Sequence, residues 1–157
     1  MDLSRAYARA VDRGDVDGFV GLFTEDATLR LTAPGDPATV THTIRGHQEL
    51  AAIPRRMERY HRSFHLLGQA TYGDDGHGPT GEVYCVAHHL TVRGGAAGEP
   101  EPTAEDLVLY VRYADRYRYR PEPDGRWLIA DRLVQVDWTE TRPAPLPADA
   151  QGPAARP

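Results

Sequence analysis

The chain has 157 residues, of which 18 are basic and 23 acidic, giving a net charge of −5 and a pI near 5.8. That length is one domain's worth, and 40% hydrophobic with 26% charged residues is the composition of a folding chain rather than a disordered one. The acidic balance argues against nucleic acid or an anionic membrane as partner, and no apolar run approaches the ~18 residues of a membrane span.

Leu3, Ala6, Tyr7, Ala10 and Val11 recur at three- and four-residue spacing and predict a helix ending at Gly14. Asp15 is placed to cap a second helix carrying Val16, Phe19, Val20 and Phe23 on one side. Ala27–Ala33 and Thr39–Arg45 read as strands joined through Pro34-Gly35-Asp36-Pro37. His47–Arg59 is helical in composition, with Pro54 expected to kink or split it. Four strands follow, over Ser63–Tyr72, Gly81–Arg93, Ala104–Arg120 and Arg126–Thr139. They are separated by turns at Gly73–Gly76, Gly94–Gly98 and Pro121–Gly125. Helices first and long antiparallel strands after them is the order of an α+β domain. We expect that domain over residues 1–141, with 142–157, rich in Pro and Ala, as a disordered or extended tail.

The residue inventory removes several chemistries. Cys85 is the single cysteine, so an internal disulfide, a thiolate zinc site and a CxxC pair are excluded. No lysine occurs, which removes Schiff-base catalysis. Neither a GxSxG elbow, nor HExxH spacing, nor a phosphate-binding glycine loop is present, so no metal and no cofactor are expected. The N-terminus lacks a signal-peptide pattern, and a cytoplasmic location is expected.

What remains is acid–base chemistry. Alternation sorts Leu107, Leu109, Val111, Tyr113, Asp115, Tyr117 and Tyr119 onto one strand face, where Asp115 is either a buried polar anchor or already beyond the core, meeting solvent or an arginine. On the preceding strand Tyr84, Val86, His88, Leu90 and Val92 share a face, opposite Cys85 and His89. His65 shares its face with Leu67 and Gln69. A histidine titrates near cellular pH, so several of them in one pocket would suit proton transfer.

The runs Tyr7-Ala-Arg-Ala-Val-Asp12-Arg-Gly-Asp15, Leu22-Phe-Thr-Glu-Asp-Ala27, Phe64-His-Leu-Leu-Gly68 and Asp124-Gly-Arg-Trp127 resemble SnoaL-like proteins of the nuclear transport factor 2-like superfamily. The resemblance implies a cone-shaped α+β fold. In it, N-terminal helices pack in a strongly curved, mixed but mostly antiparallel sheet that encloses a pocket. It also implies a homodimer through the convex sheet face. The pattern is nearest scytalone dehydratase and the bile acid dehydratases. By that likeness His65, His88, Asp12 and Tyr7 are the expected catalytic set, and Tyr84, Tyr113, Asp115 and Tyr117 the substrate-binding set. Tyr7 and Asp12 stand about 140° apart on the helix and would serve one pocket from its rim.

Val11 and Ala33 occupy the places of two scytalone dehydratase tyrosines, so that substrate is not expected. The function implied is a dehydratase, or an isomerase or cyclase, acting on an apolar oxygenated small molecule such as a polyketide, terpenoid or steroid-like intermediate of secondary metabolism. The other reading is a non-catalytic binding or dimerisation domain of the same fold.

Overall fold

The structure is a computed structural model that describes residues 3–95, 100–123 and 125–150. Residues 96–98 of the expected glycine-rich loop, Asp124 of the last expected turn, and residues 151–157 of the Pro/Ala-rich segment lie outside that set. Helix α1 (Leu3–Arg13) ends where Gly14 adopts φ +64°, a conformation that spares only glycine a Cβ clash. Asp15 caps α2 (Val16–Val20) by accepting the Gly18 N–H at 2.9 Å.

Strands β1 (Phe23–Ala33) and β2 (Asp36–Arg45) form the expected hairpin, turning at Gly35. The segment containing Pro54 is split into α3 (Gly46–Leu50) and α4 (Ala52–Arg56). Pro54 sits in the first turn of α4, where its missing N–H is tolerated. Strands β3 (Arg62–Asp74), β4 (Pro79–Arg93), β5 (Thr103–Arg120) and β6 (Arg126–Ala144) complete a six-stranded sheet of order β2-β1-β6-β5-β4-β3. All neighbours are antiparallel except β1 and β6, which makes the sheet mixed; it remains open at its two edges. Strand β6 extends past Thr139, and Ala148–Ala150 forms a 3₁₀ turn whose Asp149 accepts from Arg62 and His61.

Helix α1 lies against the inner face. Its Tyr7, Ala10 and Val11 join Val83, Cys85, Ala87, Val111 and Tyr113 in one core. The helix backbone lies nearest β3, and its side chains pack with the small inner residues Val83, Cys85 and Ala87 of β4. Register shifts at Tyr110/Val111 and Arg116/Tyr117 between β5 and β6 bend the sheet around the helix. The first shift also changes the phase of β6: Val136 stays inside, while Trp138 comes out to stack on Tyr110 with ring centroids 4.1 Å apart.

Candidate active site

Between α1, the α4 end and the inner sheet face lies a cavity of about 410 Å³, walled mainly by Leu29, Leu31, Ile53, Leu109, Val111 and Val134. Its polar groups enter from different elements. Tyr7 comes from α1, His42 from β2, Tyr113 from β5, His65 from β3 and His89 from β4. Arg56, Arg59 and Tyr60 come from the end of α4 and the turn beyond it.

His65 and Asp12 meet as a dyad. The ring Nδ1 is 2.6 Å from Asp12 Oδ1, the His65 backbone N–H donates to Oδ2 at 3.0 Å, and the Ser63 hydroxyl donates to Oδ1 at 3.2 Å. Burial alone would raise the Asp12 pKa, but the hydrogen bonds and charge of His65 prevail and hold the carboxyl below its ordinary 3.8. A carboxylate accepting Nδ1–H assigns the proton to that nitrogen and leaves Nε2 as the basic atom. The His65 side chain is only 7% exposed, so the ring is held in place.

His89 is the second imidazole of the cavity. Its ring stacks on Tyr60 (4.6 Å between centroids, 17° between planes) and meets His65 edge-on at 5.7 Å. Burial, then His65 and Arg59, push its pKa down to about 4, so it is neutral at physiological pH. Its Nδ1 is buried and finds no hydrogen-bond partner among the described residues.

Tyr7 and Tyr113 form the floor, and burial raises the pKa of both phenols. Beneath them lies Arg132, fully buried, with its guanidinium carbon 4.2 Å from the Tyr7 ring centre and 4.3 Å from that of Tyr113. Asp115 accepts from its Nε at 2.7 Å and its Nη2 at 2.6 Å, and Ser4 Oγ accepts from Nη2 at 3.2 Å. Desolvation would lower the Arg132 pKa, but Asp115 overcomes it and keeps the guanidinium above its ordinary range. The tyrosine faces supply the cation–π surface that a buried guanidinium requires.

The expected residues therefore separate. His65, Asp12, Tyr7 and Tyr113 are brought together, with Asp12 standing behind His65. His88 is not with them: it lies on the outer sheet face, where its Nδ1 is 2.8 Å from Asp106 and its ring faces Phe64. Tyr84 shares that outer face under the Arg112 guanidinium. On β4 the smaller set, Val83, Cys85, Ala87 and His89, is the buried one, and the bulkier set with Tyr84 and His88 is left on the outer face. Asp115 is buried by its pairing with Arg132, and it borders a separate groove with Thr71 and Gly81. Tyr117 donates to Asp115 at 2.9 Å instead of facing the cavity.

Sequence reasoning missed His42, His89, Arg56, Arg59 and Tyr60 as cavity groups, and Arg132 beneath it. The available signals were an arginine on the Arg132/Val134/Val136 apolar face and the unfavourable size of the His88 set. Among the described residues no group of three or more His, Cys, Asp or Glu side chains is placed to hold a metal ion.

Comparison with known proteins gives a match to the SnoaL-like domain over residues 1–133. No curated protein matches the chain. Among solved structures, the chain is similar to a variant of Rv3472, of unknown function, from Mycobacterium tuberculosis. The identity is 25%, the TM-score 0.60, and the match covers 97% of this chain and 73% of the other. It also resembles the hexachlorocyclohexane dehydrochlorinase LinA-type3 of Novosphingobium barchaimii (14% identity, TM-score 0.65, 91% and 86% covered). A third similar structure is a candidate scytalone dehydratase of Novosphingobium aromaticivorans (16% identity, TM-score 0.62, 99% and 90% covered). At the identities of the last two, the likeness is one of fold.

Proposed function

We propose, given that this chain belongs to the SnoaL-like family of the nuclear transport factor 2-like superfamily, that its cavity is a cofactor-independent general acid–base site of dehydratase or isomerase/cyclase type. The substrate is an apolar oxygenated small molecule carrying a carbonyl. The observation that supports this most is the His65–Asp12 dyad, with its basic nitrogen free, beside a second imidazole kept neutral in an apolar chamber. The dehydrochlorinase and dehydratase names among structures of the same fold agree with an elimination, which also begins with removal of a proton.

In this reading His65 Nε2 takes the proton α to the carbonyl, and Asp12 stabilises the imidazolium that forms. The electron pair moves to the carbonyl oxygen. His89 donates to that oxygen: an unpaired lone pair costs less than an unpaired N–H, so the proton belongs on Nε2 rather than on the sealed Nδ1. Tyr7 is placed to assist. When the enolate reforms the carbonyl by expelling a β-hydroxyl, the His65 proton leaves with it as water and the dyad returns to its starting state. Delivery to another carbon instead gives isomerisation. His88 takes no part. The exposed outer-face residues Phe64, Leu66 and Trp138 support the homodimer expected for the family.

The test is solvent deuterium exchange into α-tetralone, a bicyclic ketone of suitable size, followed by NMR. Saturable exchange should fall at least about 100-fold in His65→Gln and about 10- to 100-fold in Asp12→Asn, and stay unchanged in His88→Gln. Absence of exchange while saturation-transfer NMR shows the ketone bound would make the domain a binder instead.

A further inference from the structure

The charge of the cavity wall is one-sided. Arg56 and Arg59 line it, and among the described residues no carboxylate does, in a chain whose net charge is −5. Arg56 makes no ion pair or side-chain hydrogen bond with the described residues. Glu58, between the two arginines in sequence, borders the neighbouring groove beside Asp12 instead. Arg59 donates to the Tyr60 hydroxyl at 2.7 Å, and its guanidinium carbon lies 4.7 Å from the centre of that ring. The same ring stacks on His89, so the Arg59 charge stands one aromatic layer away from a buried imidazole whose Nδ1 lacks a partner. Deeper in, the wall is aliphatic, including Leu29, Leu109 and Val134.

A cation pair at the entrance, an apolar body and polar groups at one wall form a graded surface. We infer that the site takes an amphipathic organic acid, with a carboxylate held by Arg56 and Arg59 while an apolar ring system fills the chamber and presents its reacting carbonyl to His65. Guanidinium forks match carboxylates in geometry, and Arg59 is already oriented by Tyr60. This deepens the acid–base reading and rests on it for the reacting end alone; the anchoring end concerns binding and is testable separately.

The experiment is calorimetric titration with 2-naphthoate and with its neutral isostere 2-naphthamide. The carboxylate should bind about tenfold more tightly than the amide at low salt, with the preference shrinking as ionic strength rises. In the Arg56→Gln/Arg59→Gln double variant that preference should disappear while the affinity for the amide persists, which also shows that the variant is folded. His65→Gln should retain the preference in full, so loss of turnover and loss of acid selectivity are distinguishable. Equal binding of the two probes by the wild type, a preference that survives in the arginine variant, or no binding of either probe overturns the inference.

Discussion

Replacing His89 with glutamine should flatten the acid side of the protein's stability profile. In the native state the His89 pKa is pushed down to about 4 from its ordinary 6.5, with burial the first cause. Above pH 6.5 the ring is neutral in both folded and unfolded chains and contributes no pH dependence. As the pH falls below that value, the unfolded chain gains a proton at His89 that the folded chain refuses, so stability declines until about pH 4 and then levels off. The interval corresponds to about 3 kcal/mol, and a residue only 7% exposed is little screened by solvent.

Asp12, held below 3.8, loses its contribution only at still lower pH and does not interfere. Urea unfolding at pH 7.0 and pH 4.5 measures the effect. Wild type should lose more than 2 kcal/mol beyond the loss in His89→Gln, a midpoint difference of about 1–2 M at an ordinary m-value. The contact with Tyr60 that the variant gives up is lost at both pH values and cancels. Parallel profiles for the two proteins would refute the assignment of a desolvated, neutral imidazole.

Arg132→Met leaves Asp115 buried without its partner and should cost about 3–5 kcal/mol, read as a fall in the thermal midpoint; a change below 1 kcal/mol would contradict the buried pair. Burial raises the Cys85 thiol to about 11, so in the native state at pH 8 it should resist a thiol-reactive dye and become reactive only in denaturant. Leu66 and Trp138 end one cross-strand row through Val86 and Tyr110 on the outer face. The homodimer proposed through this face is tested by sedimentation velocity: wild type should give a dimer mass and the double change Leu66→Asp/Trp138→Asp a monomer, and a monomeric wild type or an equally dimeric variant would remove this face as the interface.

Alternation along β5 did not foresee that Tyr119 is exposed, but the order of elements, the hairpin at Gly35, the break around Pro54 and the inner face of β5 as far as Asp115 were readable from spacing and turn residues. These are local properties, set by backbone sterics and by alternation along a single strand. That Asp12 supports an imidazole was legible only through family resemblance, which left His65 and His88 equally open as its partner; 53 residues separate Asp12 from His65, and the structure decided between them. Which face of β4 turns inward was not legible, because both of its alternate sets are apolar and each contains a histidine. In the folded sheet the smaller set faces the core, and with it His89 rather than His88. The bulge that turns Trp138 outward, and the pairing that makes Asp115 a support of the floor rather than a cavity group, depend equally on neighbouring strands. Alternation says which side chains travel together, but only the volume available on each side of the folded sheet says where they go.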